Sequence, residues 1–127
     1  FRVPCGSETI LLVEDDAGVR QVAVEALETL GYTVLVAHDG AEALGVLRRG
    51  DRIDLLFSDV VLPGALNGFE LAEEARRLRR GLPVLLTSGY AASELQKRRP
   101  GAPLEPVLDK PYRREDLASA IRRVLDR

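Results

Sequence analysis

The 127-residue chain has a single cysteine, Cys5, so no internal disulfide can form and nothing points to an oxidising compartment. It has a single histidine, His38, and no cluster of His and Cys, which removes the usual ligands of a zinc centre. No apolar run approaches membrane-spanning length, and the N-terminus lacks the basic start and long apolar stretch of a secretion signal. A net charge of −2 provides no field for a nucleic acid or an anionic membrane. The arginine pairs (48 and 49, 76 and 77, 79 and 80, 98 and 99, 122 and 123) fall near the ends of helical patterns. Cations there favour the negative pole of a helix, so the pairs do not form a phosphate-binding track. There is no internal repeat and no low-complexity segment. The expectation is one cytoplasmic domain that touches neither membrane nor nucleic acid directly.

Hydrophobic residues make up 46% of the chain and charged residues 30%, and the length suits one domain with a proper core. Residues 1–8, with Pro, Gly and Ser and no periodicity, read as a leader or the stub of a linker; residues 9–127 read as the domain. Thr9 to Val13 predicts a first strand that runs straight into Glu14-Asp15-Asp16. Asp16 is a suitable N-cap for a helix from Ala17 to about Leu30, with Val19, Val22, Ala23, Ala26, Leu27 and Leu30 at helical spacing and Gly31 closing it. Tyr32 to Ala37 predicts a second strand, followed by a helix that begins at Asp39 or Gly40 and ends at Gly50.

The apolar run Ile53 to Pro63 predicts a buried third strand with Asp59 at its carboxyl end. Asn67 caps a helix with Leu71, Ala72, Ala75 and Leu78 inward, stopped by Gly81. Leu82 to Thr87 predicts a fourth strand, Ala91 to Arg98 a short helix and Val107 to Asp109 a brief fifth strand. A last helix from about Arg114 to Leu125 carries the stripe Leu117, Ala120, Ile121, Val124 and Leu125. Strands alternating with helices imply an α/β doubly wound, five-stranded parallel sheet with helices on both faces.

In such a sheet the strand ends share one edge, where ligands gather. Here that edge collects Glu14-Asp15-Asp16, Asp59, Thr87-Ser88 and Lys110-Pro111. Converging carboxylates repel and need a counter-charge. With no His or Cys nearby the suitable ion is hard and oxygen-loving: Mg²⁺, with Mn²⁺ as the alternative. Thr87 offers a hydroxyl and Lys110 a mobile ammonium, both suited to an anionic group beside the metal. The chemistry that uses all these parts is phosphoryl transfer to a carboxylate, with Asp59 as nucleophile. Asp16 is read as the helix cap, and His38 as a surface residue that is not a phosphohistidine.

Four motifs carry a resemblance: Leu12-Val13-Glu14-Asp15-Asp16, Ser58-Asp59-Val60-Val61-Leu62-Pro63-Gly64, Thr87-Ser88-Gly89 and Lys110-Pro111-Tyr112. In order, each at a predicted strand end, they make the chain resemble, over nearly its whole length, the receiver domains of two-component response regulators. It is most similar in style to the C-terminal receivers of hybrid sensor histidine kinases. The resemblance implies a flavodoxin-like (CheY-like) fold with strand order 2-1-3-4-5. It also implies a phosphorylation-dependent signalling switch, not an enzyme acting on an external substrate. In that scheme Asp59 is the phosphoacceptor, and Asp15 and Asp59 bind Mg²⁺ while Glu14 completes the acidic pair through a metal-bound water. Val61 contributes its backbone carbonyl, Thr87 carries the switch, Lys110 pairs with Asp59 or its phosphoryl oxygens, and the bond before Pro111 is cis. The implied partner is a histidine kinase or phosphotransfer protein, with the domain either freestanding or tethered to a sensor kinase, and no appended DNA-binding module is expected.

Two features depart from that pattern. Val107 stands three residues before Lys110, where many members carry an aromatic switch residue; Tyr90 and Tyr112 are the available substitutes. Residues 99–106 are rich in proline, which puts the usual output surface around the fourth helix, fifth strand and last helix in doubt. An Asp-nucleophile phosphohydrolase would place its nucleophile and second acid after the first strand, the wrong order for this chain. A flavin site would need a Ser, Thr and Gly phosphate loop where the acids stand. A phosphorylation-independent interaction module of the same family remains the alternative.

Overall fold

The computed structural model describes residues 3–89 and 105–127. Five strands, β1 (Thr9–Val13), β2 (Thr33–Ala37), β3 (Leu55–Asp59), β4 (Val84–Ser88) and β5 (Val107–Asp109), form one parallel sheet in the order β2-β1-β3-β4-β5. The helices among the described residues are α1 (Ala17–Thr29), α2 (Gly40–Arg48), α3 (Gly68–Leu78) and α4 (Arg114–Leu125). The expected short helix at 91–98 lies outside the described residues, as does Tyr90.

Successive side chains of a strand point to opposite faces, so a sheet covered on both sides needs unbroken apolar strands. On β1, Leu11 and Val13 join the core under α2 and α3, with Val46, Phe69 and Leu71. Ile10 and Leu12 join the opposite core under α1 and α4, with Leu27, Phe57, Leu117 and Ile121. Three of the four described helices start on a side chain that accepts from a first-turn amide. Asp16 accepts from Val19 N at 3.0 Å and Asp39 from Glu42 N at 2.8 Å. Asn67 and Glu70 bond each other's backbones at 2.9 and 3.0 Å in a reciprocal capping box. Arg48, Arg76, Arg77, Arg122 and Arg123 occupy last turns, at the negative helix poles.

Several expected boundaries and faces shift. The third strand is paired only over Leu55–Asp59, because the chain leaves the sheet at Val60, which turns into the core, while Val61 is 60% exposed. The fourth strand is Val84–Ser88: Pro83 lacks an amide and joins the ladder only through its carbonyl, which accepts from Leu56 N at 3.0 Å. Val19 and Val22, expected on the buried stripe of α1, are 42% and 68% exposed. Ala23, Leu27 and Leu30 cover the sheet, whereas the two valines flank a groove of about 690 Å³ that also contains Lys110, Pro111 and Tyr112. Leu78, expected inward, is 42% exposed because it ends α3 where the helix leaves the core.

Residues 3–8 are held against the amino edge of the sheet. Gly6 N donates to Leu30 O at 3.1 Å, and Thr33 N to Glu8 O at 3.1 Å. Arg122 grips both carboxylate oxygens of Glu8 at 2.8 and 2.9 Å, joining that segment to α4. Gly31 closes α1 at φ 99°, a left-handed conformation suited to glycine, and a Cβ there would lie 2.4 Å from Gly6 O.

Candidate functional site

The parallel register brings the chemistry to one edge. Val13, the last residue of β1, pairs with Ser58, so Glu14 leaves the sheet beside Asp59. Asp59 in turn pairs with Thr87 on β4, and Lys110 N donates to Ser88 O at 2.8 Å just beyond β5. Rigid strands therefore deliver two acids, a hydroxyl and an ammonium to neighbouring positions. The Lys110-Pro111 peptide is cis.

Carboxylate oxygens of Glu14, Asp15 and Asp59 all lie within 4.8 Å of one another. Lys110 Nζ is 3.1 Å from Asp59 Oδ2 and 3.5 Å from Glu14 Oε1. Glu14 is only 4% exposed, and its other oxygen accepts from Asp16 N at 3.1 Å. Burial pushes the Glu14 carboxyl above the usual range, and the charge of Asp59 adds to this; the Asp16 amide and Lys110 offset only part. Burial alone would lower the Lys110 ammonium, but its bond to Asp59 and the two negative charges prevail and hold it above its ordinary value. Lys110 is therefore cationic at neutral pH and is shared between two acids.

Among the described residues, three carboxylates face one ammonium at this site, and the donors are all oxygen. Such a set fits a hard divalent cation, for which thiolate or imidazole would be the wrong partners. Val61 reaches the site through its amide, 3.4 Å from Asp59 Oδ1, with its side chain in solvent. Thr87 is buried, and its hydroxyl donates across to Leu108 O on β5 at 2.9 Å, away from the carboxylates. Asp16 caps α1 and is not among the grouped carboxylates. His38 is exposed and pairs with Glu42 at 3.0 Å. Tyr112 packs edge-on against Phe57 with ring centres 6.5 Å apart, so its ring already lies inward.

Two contributors escaped sequence reasoning. Arg20 Nη1 donates to the carbonyls of Glu14 at 2.9 Å and Asp15 at 3.3 Å. An arginine one turn past the acids was the available signal. Gly68 opens α3 directly against Asp59: a Cβ there would lie 2.4 Å from Asp59 O and 2.8 Å from Val60 Cα, and its amide donates to Val60 O at 2.7 Å. The dipeptide Asn67-Gly68 signals the helix start but not this approach.

Residues 10–122 match the response regulator receiver domain family. The chain is 36% identical over 123 residues to the sensor kinase CckA of Brucella abortus, covering 96% of this chain and 13% of that protein. It is 37% identical over 123 residues to the response regulator MprA of Mycobacterium ulcerans, covering 95% of this chain and 51% of that protein. It thus spans about half or less of these relatives. Among solved structures, the Vibrio cholerae chemotaxis protein CheY4 superposes with a TM-score of 0.83 at 30% identity, covering 94% of this chain and 100% of that one. The receiver domain of the hybrid histidine kinase CckA does so with a TM-score of 0.74 at 37% identity, covering 92% and 98%.

Proposed function

Because the chain belongs to the response regulator receiver domain family, we propose that it is a phosphorylation switch in which Asp59 accepts a phosphoryl group from a histidine kinase or phosphotransfer protein. The observation that carries this reading is the convergence of Glu14, Asp15 and Asp59 within 4.8 Å, with Lys110 bridging two of them. An Asp59 carboxylate oxygen attacks phosphorus while the P–N bond of a phosphohistidine breaks, its electron pair returning to the imidazole nitrogen. Mg²⁺, or Mn²⁺ in its place, would be held by Asp15, Asp59 and the Val61 carbonyl, with Glu14 acting through a water. When bound it supplies charge neutralisation to the crowded oxygens. Lys110 then exchanges its contact with Asp59 Oδ2 for a phosphoryl oxygen.

The Thr87 hydroxyl has a partner to give up. Turning toward a phosphoryl group exchanges the bond to Leu108 O for a charge-assisted one, which loosens β4 from β5 at that point. With Val107 in place of an aromatic, this exchange is the route by which the switch reaches β5. The groove between Val19, Val22 and Tyr112 is continuous with the site through Lys110. It offers the donor protein an apolar seat beside Asp59. Residues 9–127 form the receiver, tethered through residues 1–8 to a sensor kinase, a setting that the similarity to CckA supports, and it works in the cytoplasm.

The test is intact-protein mass after incubation with acetyl phosphate, with and without Mg²⁺, on wild type and Asp59→Asn. A single phosphoryl adduct that requires Mg²⁺ and disappears in the variant is expected. An unmodified wild type in Mg²⁺, also inert toward beryllium fluoride, would leave a receiver used only as a docking surface.

A further inference from the structure

Three consecutive acids follow β1, and each must point somewhere different. Glu14 is turned inward beside Lys110, Asp15 toward Asp59, and Asp16 back over the first turn of α1. Left to themselves, adjacent like charges spread apart. Glu14 N is fixed by Ala37 O at 3.1 Å and Asp16 N by the Glu14 carboxylate at 3.1 Å. The carbonyls of Glu14 and Asp15 are both held by one nitrogen, Arg20 Nη1, at 2.9 and 3.3 Å.

Arg20 is an unusual choice for this place. It sits one turn into α1, its amide bonded to Asp16 O at 2.9 Å, and a cation near a helix N-terminus opposes the helix dipole. It makes no ion pair with any acid among the described residues, despite the three acids four to six positions before it. Its guanidinium bonds neutral carbonyl oxygens instead. One guanidinium nitrogen that bonds the carbonyls of two successive residues, and neither of their side chains, fixes peptide planes, and those planes set where the carboxylates project.

We propose that Arg20 is a positioning residue for the divalent-cation site, clamping the Glu14 and Asp15 carbonyls so that their carboxylates converge on Asp59. This rests on the metal-assisted reading above and extends it to a residue that touches neither the metal nor the phosphoryl group. The sign of its effect separates it from electrostatics. A guanidinium near a cation site repels the cation, so removing it should tighten Mg²⁺ binding if charge alone mattered. If positioning dominates, removing it weakens binding.

The experiment is calorimetric titration of the whole chain with Mg²⁺, beside a thermal melt of each metal-free protein. Wild type binds; Arg20→Met binds roughly tenfold more weakly, the size of an outer-shell loss, while Arg20→Lys, which keeps donors and reach, stays within about threefold of wild type. A stabilising role alone would lower the melting temperature and leave the affinity of the folded protein unchanged. Arg20→Met binding as tightly as wild type, or more tightly, overturns the proposal. If Arg20→Met does not fold, Arg20→Gln against Arg20→Lys decides the same sign, with weaker binding by the glutamine variant expected and equal or tighter binding contradicting it. A wild type that fails to bind Mg²⁺ overturns the metal reading itself, and with it this role, in a way no Arg20 variant can mimic.

Discussion

Two glutamates flank β1, Glu8 just before it and Glu14 just after it, and the fold treats them in opposite ways. At the amino edge, Glu8 accepts two bonds from Arg122. The guanidinium beside it holds its carboxyl down to about 2, while Arg122 itself is pushed well above its usual range by Asp126 and Glu8. At the carboxyl edge, burial pushes Glu14 up, and its nearest ammonium is shared with Asp59. At one edge a single guanidinium grips two carboxylates, Glu8 and Asp126, and ties residues 3–8 to the last helix. The other leaves negative charge in excess where the sheet presents Asp59. A charge arrangement that weakens a fold persists where something else needs it, and here an oxygen-loving cation and a phosphoryl group are the proposed reasons.

The sharpest way to break the contrast is to disturb the backbone of Asp59. Gly68→Ala pushes a methyl into Asp59 O and Val60 Cα, backbone atoms with little room to yield. It should cost about 1–3 kcal/mol in urea denaturation, as overpacking does. The phosphoryl adduct should be lost or much slowed in the fraction that stays folded. Next come the two glutamates. Glu8→Gln should lower stability by about 1 kcal/mol, the range for a solvent-screened pair. Glu14→Gln should raise the stability of the metal-free protein by about 0.5–2 kcal/mol, as relief at a functional site does, while weakening Mg²⁺ binding. Changes of the same sign in both variants would erase the distinction.

The pH dependence refines the same comparison. Glu8 has a folded-state pKa lowered from 4.5, so its stabilisation is complete above about 4.5 and lost as pH falls toward 2. Glu14 has a raised one, so the favoured protonated form is fully present below 4.5 and stability is lost as pH rises through the raised value. Without Mg²⁺ the two arms slope in opposite directions. Unfolding followed against pH should show Glu8→Gln flattening the acid arm and Glu14→Gln the other. The smallest effect belongs to the exposed groove. Val22→Ser should change stability by less than about 0.5 kcal/mol and leave labelling by acetyl phosphate intact. Phosphoryl transfer from a protein donor should nevertheless slow.

Much of this was legible in the chain. The five strands, the caps Asp16 and Asn67, and the alternation behind a sheet covered on both faces follow from local pattern, which is short-range information. The edge that collects Glu14, Asp15, Asp59 and Lys110 was legible because parallel topology brings three strand ends to one edge. What stayed hidden depends on direction or distance. Helical spacing put Val19 and Val22 on a buried stripe, but a stripe does not say where the covered sheet ends. Residue type marked Thr87 as a hydroxyl donor, yet its bond goes to Leu108 O. Arg122 and Glu8 are 114 positions apart, beyond any periodicity. The closeness of Gly68 to Asp59 O is a property of packing alone.

The most direct test of the central claim, that the excess negative charge of the carboxyl edge binds a divalent cation, is the unfolding free energy at pH 7 against free Mg²⁺ for wild type and Asp15→Asn. Wild type should gain about 1.4 kcal/mol for each tenfold rise in Mg²⁺ above its dissociation constant, and Asp15→Asn should gain little or nothing over the same range. A wild type that does not respond to Mg²⁺, or a variant that responds equally, would contradict the account.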